Sequence, residues 1–183
     1  MQYLLINEAF LQLIRMFCAY ISTSMQEKHT LDQLDWRLLD ALQKDGAATN
    51  AALCELIGLS SSQISRRRQR LEEAGIISGY RAMIMSDAVG LNVTAFIHVA
   101  LDTHSRDNAR RFRDLVELTP AVLEAHALTG DADYLLKVTA GDLKELSSLI
   151  NEVFLPHDSV ARVRSEIVLE TLKWGAGLPL AMR

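Results

Sequence analysis

The chain has 183 residues, 49 % of them hydrophobic and 23 % charged, with a formal net charge of −4. That balance excludes a disordered or low-complexity chain and supplies core for one medium domain or two small ones. Cys18 and Cys54 form no CxxC pair, which excludes a disulfide framework and reads as reduced thiols in a cytoplasmic protein.

Residues 3–21 are rich in Leu, Ile, Phe and Met, but Glu8 and Arg15 interrupt them. They fit neither a membrane span of about 20 apolar residues nor a secretory signal. The reading is an amphipathic helix in front of the domain; the alternative is that translation begins at Met25. Over residues 32–44 the apolar positions Leu34, Leu38, Leu39 and Leu42 repeat on one helix face, capped by Asp32 and stopped by Asp45-Gly46. Residues 50–57 repeat the pattern with Leu53, Leu56 and Ile57. Gly58-Leu59-Ser60 turns the chain. Ser60 and Gln63 have capping-box spacing, which starts a third helix at Ser61 that runs to Ala74 and is closed by Gly75. This is a helix-turn-helix pattern.

Beyond Gly75 the period shortens. Residues 76–85 read as a strand, followed by strand 94–101, helix 106–118, strands 122–128 and 134–140, helix 142–155 and strand 160–172. From Thr94 the order is β-α-β-β-α-β, the ferredoxin-like arrangement of an antiparallel sheet with both helices on one face.

The third helix carries four arginines in five residues, Arg66, Arg67, Arg68 and Arg70, in an acidic chain. On a helical projection Ile64 and Leu71 lie within about 20° of each other and mark the buried side. Ser62, Ser65, Arg66, Gln69 and Arg70 fall on the opposite half. Small residues at a helix start permit close approach to a major groove, and the Arg and Gln that follow match guanine and adenine edges. The amide and hydroxyl groups of Ser61 and Ser62 suit phosphate, and Arg67 is expected on the phosphate rim. The competing reading is a solvated helix whose arginines pair with Glu72, Glu73 and neighbouring acids. Arg68, about 40° from the buried direction, must snorkel or meet a partner subunit.

These residues, in order and spacing, resemble the Lrp/AsnC family of bacterial regulators over residues 31–174. The resemblance rests on Leu31-Asp32-x-x-Asp35, Leu42-Gln43-Lys44-Asp45-Gly46, Ile57-Gly58-Leu59-Ser60, Arg66-Arg67, Leu71-Glu72-x-Ala74-Gly75-Ile76-Ile77-x-Gly79-Tyr80, and Gly130-Asp131-x-Asp133-Tyr134-Leu135-Leu136-Lys137-Val138. It implies an α+β fold: an N-terminal winged-type helix-turn-helix followed by a ferredoxin-like βαββαβ ligand-sensing domain. The expected divisions are an extension over 1–28, the helix-turn-helix over 29–77, a linker strand over 78–90, the effector-binding and oligomerisation domain over 91–174, and a tail over 175–183. The implied function is sequence-specific transcriptional regulation in response to a small molecule, with an amino acid as the expected effector. The implied partners are double-stranded DNA and further copies of the chain, in a homodimer and higher homo-oligomer, with no membrane. Arg68 stands where the family commonly has an apolar residue, and Ser61-Ser62-Gln63 replaces a start that often carries Pro and Thr. Both departures bear on the operator sequence.

The resemblance places the effector at the turn from Gly130 to Tyr134. Asp131 and Asp133 have the chemistry to accept from an ammonium group, and amides near Gly130 to hold a carboxylate. An ordinary hairpin turn is the other reading of the same Gly and Asp residues. No catalytic, metal or cofactor site is expected. His29, His98, His104, His126 and His157 show no metal-ligand spacing, although His98 and His126 would approach if their strands paired. Trp36 and Trp174 read as core or interface residues. Two rival functions use the same architecture: a siroheme-decarboxylase-like enzyme, and a metabolic sensor lacking DNA binding.

Overall fold

The computed structural model of the chain describes residues 30–103, 105–175 and 177–180. The expected helix over the first 24 residues lies outside the described residues, as do Cys18, His29 and His104. The described residues form two compact units, divided near Arg81, with residues 177–180 belonging to the first.

The first unit is three helices: α1 (Gln33–Lys44), α2 (Asn50–Ile57) and α3 (Ser61–Glu73). Each starts on a side-chain cap. The Asp32 carboxylate accepts from the Asp35 amide and the Asp35 carboxylate from the Asp32 amide, a reciprocal capping box. Thr49 caps α2, and Gly58 ends it with φ 82°, a left-handed value that a Cβ would oppose. The core is Leu38, Ala41, Leu42, Leu53, Ile57, Ile64 and Leu71, one stripe from each helix.

Residues 76–85 form no strand. Their apolar composition suits a strand, but a ladder needs a neighbouring strand to accept its N–H groups, and no other segment of the described chain pairs with them. Tyr80, Met83, Ile84 and Met85 are exposed.

The second unit is a four-stranded antiparallel sheet of β1 (Val93–Leu101), β2 (Val122–Ala127), β3 (Tyr134–Ala140) and β4 (Val160–Ile167), in the order β2-β3-β1-β4. Helix α4 (Arg106–Glu117) crosses between β1 and β2, and α5 (Leu143–Ser148), continued by a π-helical turn over Leu149–Phe154, crosses between β3 and β4. The last strand stops at Ile167 rather than at 172, although the Val168 amide still donates to the Thr94 carbonyl at 2.9 Å. Alternation sets the core: Ala95, Ile97, Val99 and Leu101 from β1 and Leu136, Val138 and Ala140 from β3 face Phe112, Leu146 and Phe154. The other sheet face carries Phe96, His98, Leu135 and Lys137, all half-buried.

Candidate nucleic-acid interface and ligand turn

Helix α3 is fixed at both ends by its own sequence. At its start the Ser60 amide donates to Gln63 Oε1 at 3.0 Å, and the Gln63 amide to Ser60 Oγ at 3.4 Å. At its end the Gly75 amide donates to the Glu72 carbonyl and the Ile76 amide to the Leu71 carbonyl, with Gly75 at φ 67°. These are the paired bonds of a Schellman ending. Ile64 and Leu71 are 0 % and 1 % exposed, while Ser61, Ser62, Ser65, Arg66, Gln69 and Arg70 are all exposed. The helix therefore presents a small, hydroxyl-rich first turn followed by a cationic and amide-bearing surface.

The four arginines do not stand alike. Arg67 was expected on an outer rim; instead its Nη1 donates to Asp32 Oδ2 and Asp35 Oδ1, each at 2.7 Å, and its side chain is 19 % exposed. The cause is the start of α1, whose capping carboxylates lie beside the inner flank of α3. Asp35 is fully buried and takes Arg70 on its second oxygen. Removing a carboxylate from water is costly unless it is paired and hydrogen-bonded, and two guanidinium groups with one backbone amide supply that pairing. The Asp32 carboxyl is held below its ordinary range, first by the Asp35 amide and then by Arg67, against the opposing effect of burial.

Arg68 stays within its own chain. Its guanidinium lies 4.5 Å from the Tyr80 ring centroid, and its Nε donates to Tyr80 Oη at 2.9 Å and Glu72 Oε1 at 3.2 Å. Burial, and then the hydrogen bond to Glu72, push the Tyr80 hydroxyl upward. Gln69 Nε2 donates to Glu73 at 2.8 Å. Among the described residues, Arg66 alone of the four arginines has no hydrogen-bonded or ion-paired partner. Sequence periodicity separates inner from outer positions but is blind to Asp32, Asp35 and Tyr80, which arrive from other elements. The only trace was Asp32-x-x-Asp35 itself, visible as a cap rather than as an anion site.

At the other candidate site the four residues also divide. The Asp133 amide donates to the Val99 carbonyl at 2.9 Å, its carbonyl accepts from Leu128 at 2.8 Å, and its carboxylate Oδ2 accepts from the Leu101 amide at 2.8 Å. Asp133 thus staples the turn to β1, which limits its use as an open acceptor. The Tyr134 ring packs on Phe112, centroids 4.7 Å apart at 39°. Gly130 (φ 154°) has open space where a Cβ would stand, and Asp131 is exposed. Among the described residues, the amides of Thr129, Gly130, Asp131 and Ala132 donate no hydrogen bond.

His98 and His126 are both opposite Leu135, one on each side of β3, so they are two strand spacings apart, about 10 Å. Each approaches a carboxylate instead: His98 with Glu166 at 3.6 Å and His126 with Glu124 at 3.5 Å. Lys137 bonds Glu124 at 2.9 Å and holds that carboxyl below its ordinary range. Among the described residues no three His, Cys, Asp or Glu side chains gather as a metal site. No helix among them is long and apolar enough to cross a membrane. Cys54 is a free, half-buried thiol. Trp36 is half-buried, whereas Trp174 is 54 % exposed.

A capped helix-turn-helix joined to a βαββαβ unit with an open turn defines a two-part regulator, one part for DNA and one for a ligand. Residues 31–78 match the winged helix-turn-helix DNA-binding family, and residues 94–178 match the Lrp/AsnC ligand binding domain. The leucine-responsive regulatory protein of Rhizobium meliloti is 35 % identical over 143 residues, covering 78 % of this chain and 92 % of that protein. The leucine-responsive regulatory protein of Escherichia coli K12 is 31 % identical over 153 residues, 84 % of this chain and 93 % of that protein. Among solved structures, a transcriptional regulator of Neisseria meningitidis in complex with L-Met superposes with a TM-score of 0.80 at 37 % identity, covering 84 % of this chain and 99 % of that one. The chain belongs to the Lrp/AsnC family of transcriptional regulators.

Proposed function

We propose that α3 reads DNA in the major groove through Ser62, Ser65, Arg66, Gln69 and Arg70, with Ser61 on phosphate, and that Arg67 braces the helix from behind. The exposed, unpartnered guanidinium of Arg66 on the capped helix carries this reading. An amino acid is the effector, held by its carboxylate on the open amides of residues 129–132 and by its ammonium near Asp131, with Asp133 and Tyr134 shaping the turn. The L-Met complex of the Neisseria regulator supports an amino acid as the chemical class. The protein acts in the cytoplasm as a dimer or higher oligomer, without catalysis. Its two half-sites lie about one helical turn apart or at a multiple of that spacing.

The test is binding to its own upstream DNA at two salt concentrations, with and without a pool of amino acids. Specific, salt-sensitive binding that the pool alters is expected. No specific binding at either salt would overturn the reading. Arg66→Ala should weaken binding and reduce the slope of log affinity against log salt by about 1. Arg70→Ala, whose cation is already engaged by Asp35, should change that slope less. Equal slopes for both variants and the parent would remove α3 from the interface.

A further inference from the structure

The first unit has a groove that neither the DNA reading nor the effector reading uses. It encloses about 510 Å³, and its walls include Leu31, Trp36 and Leu39 from the start of the unit and Ile76, Ile77 and Tyr80 from the chain leaving α3. Leu178, Pro179 and Leu180 also line it. The contact is built, not merely adjacent. Gln43 Nε2 donates to the Leu178 carbonyl at 2.8 Å, and the Leu178 amide donates to Gln43 Oε1 at 2.9 Å. One carboxamide thus satisfies both polar groups of a single residue's backbone, as a neighbouring strand would. The Leu180 amide donates to the Leu178 carbonyl at 2.8 Å, which folds the segment tightly. A Cβ at Gly177 would stand 2.6 Å from Gln43 Cδ, so a side chain there would dislodge the clasp. Leu178 is 71 % exposed and contributes through its backbone, whereas Leu180 is half-buried.

We infer that residues 177–180 are a detachable wall of this groove, docked on the helical unit as a peptide would be, gripped by Gln43 through the backbone and anchored by Leu180. Tyr80 lines the same groove, and its hydroxyl bonds with Arg68 and Glu72 of α3. Seating of the segment is therefore a handle on α3 that acts through the groove wall.

The experiment uses the full chain with Trp174→Phe, which leaves Trp36, in the groove wall, as the single tryptophan. Leu180→Asp and Gln43→Ala should each red-shift Trp36 emission and increase its quenching by acrylamide, with unchanged far-ultraviolet circular dichroism. Leu178→Asp should leave emission and quenching as in the parent. A free peptide of residues 177–183 should restore protection to the Leu180→Asp variant saturably. Unchanged Trp36 quenching in Leu180→Asp and Gln43→Ala would overturn the inference. So would equal quenching in Leu178→Asp and Leu180→Asp, or failure of the peptide to restore protection. The readout involves no DNA and no amino acid, so it stands or falls separately from the function proposed above.

Discussion

The two units solve the problem of a unique fold in opposite ways. The sheet unit takes its register from backbone ladders; the polar side chains it buries, Asn108, Thr139 and Ser159, are uncharged, and its ion pairs, such as Glu124–Lys137 and Arg164–Glu166, stay outside the apolar core. The helical unit has no ladder between its elements and buries only a narrow apolar stripe from each helix. It places a fully buried carboxylate, Asp35, where α1 meets α3, and lets two arginines find it. Apolar contacts tolerate sliding, whereas a buried charge with three directed partners does not. The small unit thus obtains from electrostatics the register that the sheet obtains from hydrogen bonds.

Four measurements sharpen or break that contrast. Phe112→Ala, which empties a fully buried ring site against the sheet, should destabilise the second unit by about 4 kcal/mol in denaturant unfolding. Asp35→Ala leaves Arg70 without its carboxylate and Arg67 with only one; it should cost the first unit about 3 kcal/mol, followed by Trp36 fluorescence. A loss below about 1 kcal/mol there would show that apolar packing alone sets the helical register. Asp133→Ala should cost about 2 kcal/mol by orphaning the Leu101 amide, and Asp133→Asn, which keeps an acceptor, should recover most of it. Acidification should give the smallest change. The native Asp32 carboxyl lies below its ordinary 3.8, so its contribution is complete above that value and is lost as pH falls through the lower native one. Asp40, lowered chiefly by its hydrogen bond from Lys44, acts in the same sense. The Trp36-monitored transition should move to lower temperature only in that acidic window, and a shift beginning near neutrality would point to another group.

What was legible in the sequence is what local rules govern. The capping pairs Asp32/Asp35 and Ser60/Gln63 and the glycine after Ala74 placed α1 and α3 within a residue or two, because a cap is a bond between near neighbours. The order of strands and helices from Val93 onward followed from the change of period. Residues 76–85 have the composition of a strand and form none, because composition carries no information on whether a partner strand exists. The pairing of Arg67 with Asp32 and Asp35 is invisible in sequence, because a helical projection shows which side a residue faces and not what another helix brings to that side. In sequence Asp133 looks like an open acceptor, since nothing local reveals that the Leu101 amide, 32 residues away, claims one of its oxygens.

The sharing of Arg70 between a buried carboxylate and an exposed surface has a consequence for anion contact. Asp35 engages only Nη2 of Arg70, and the side chain is 51 % exposed, so the remaining N–H donors of the fork can meet a second anion without giving up the first. Withdrawing Arg70 altogether would leave the buried carboxylate with Arg67 and the Asp32 amide alone, and that loss is costly. The carboxylate therefore sets the direction in which the outer edge of the guanidinium points. An anion meets a donor fork that is already aimed, and little side-chain freedom is left to lose on contact.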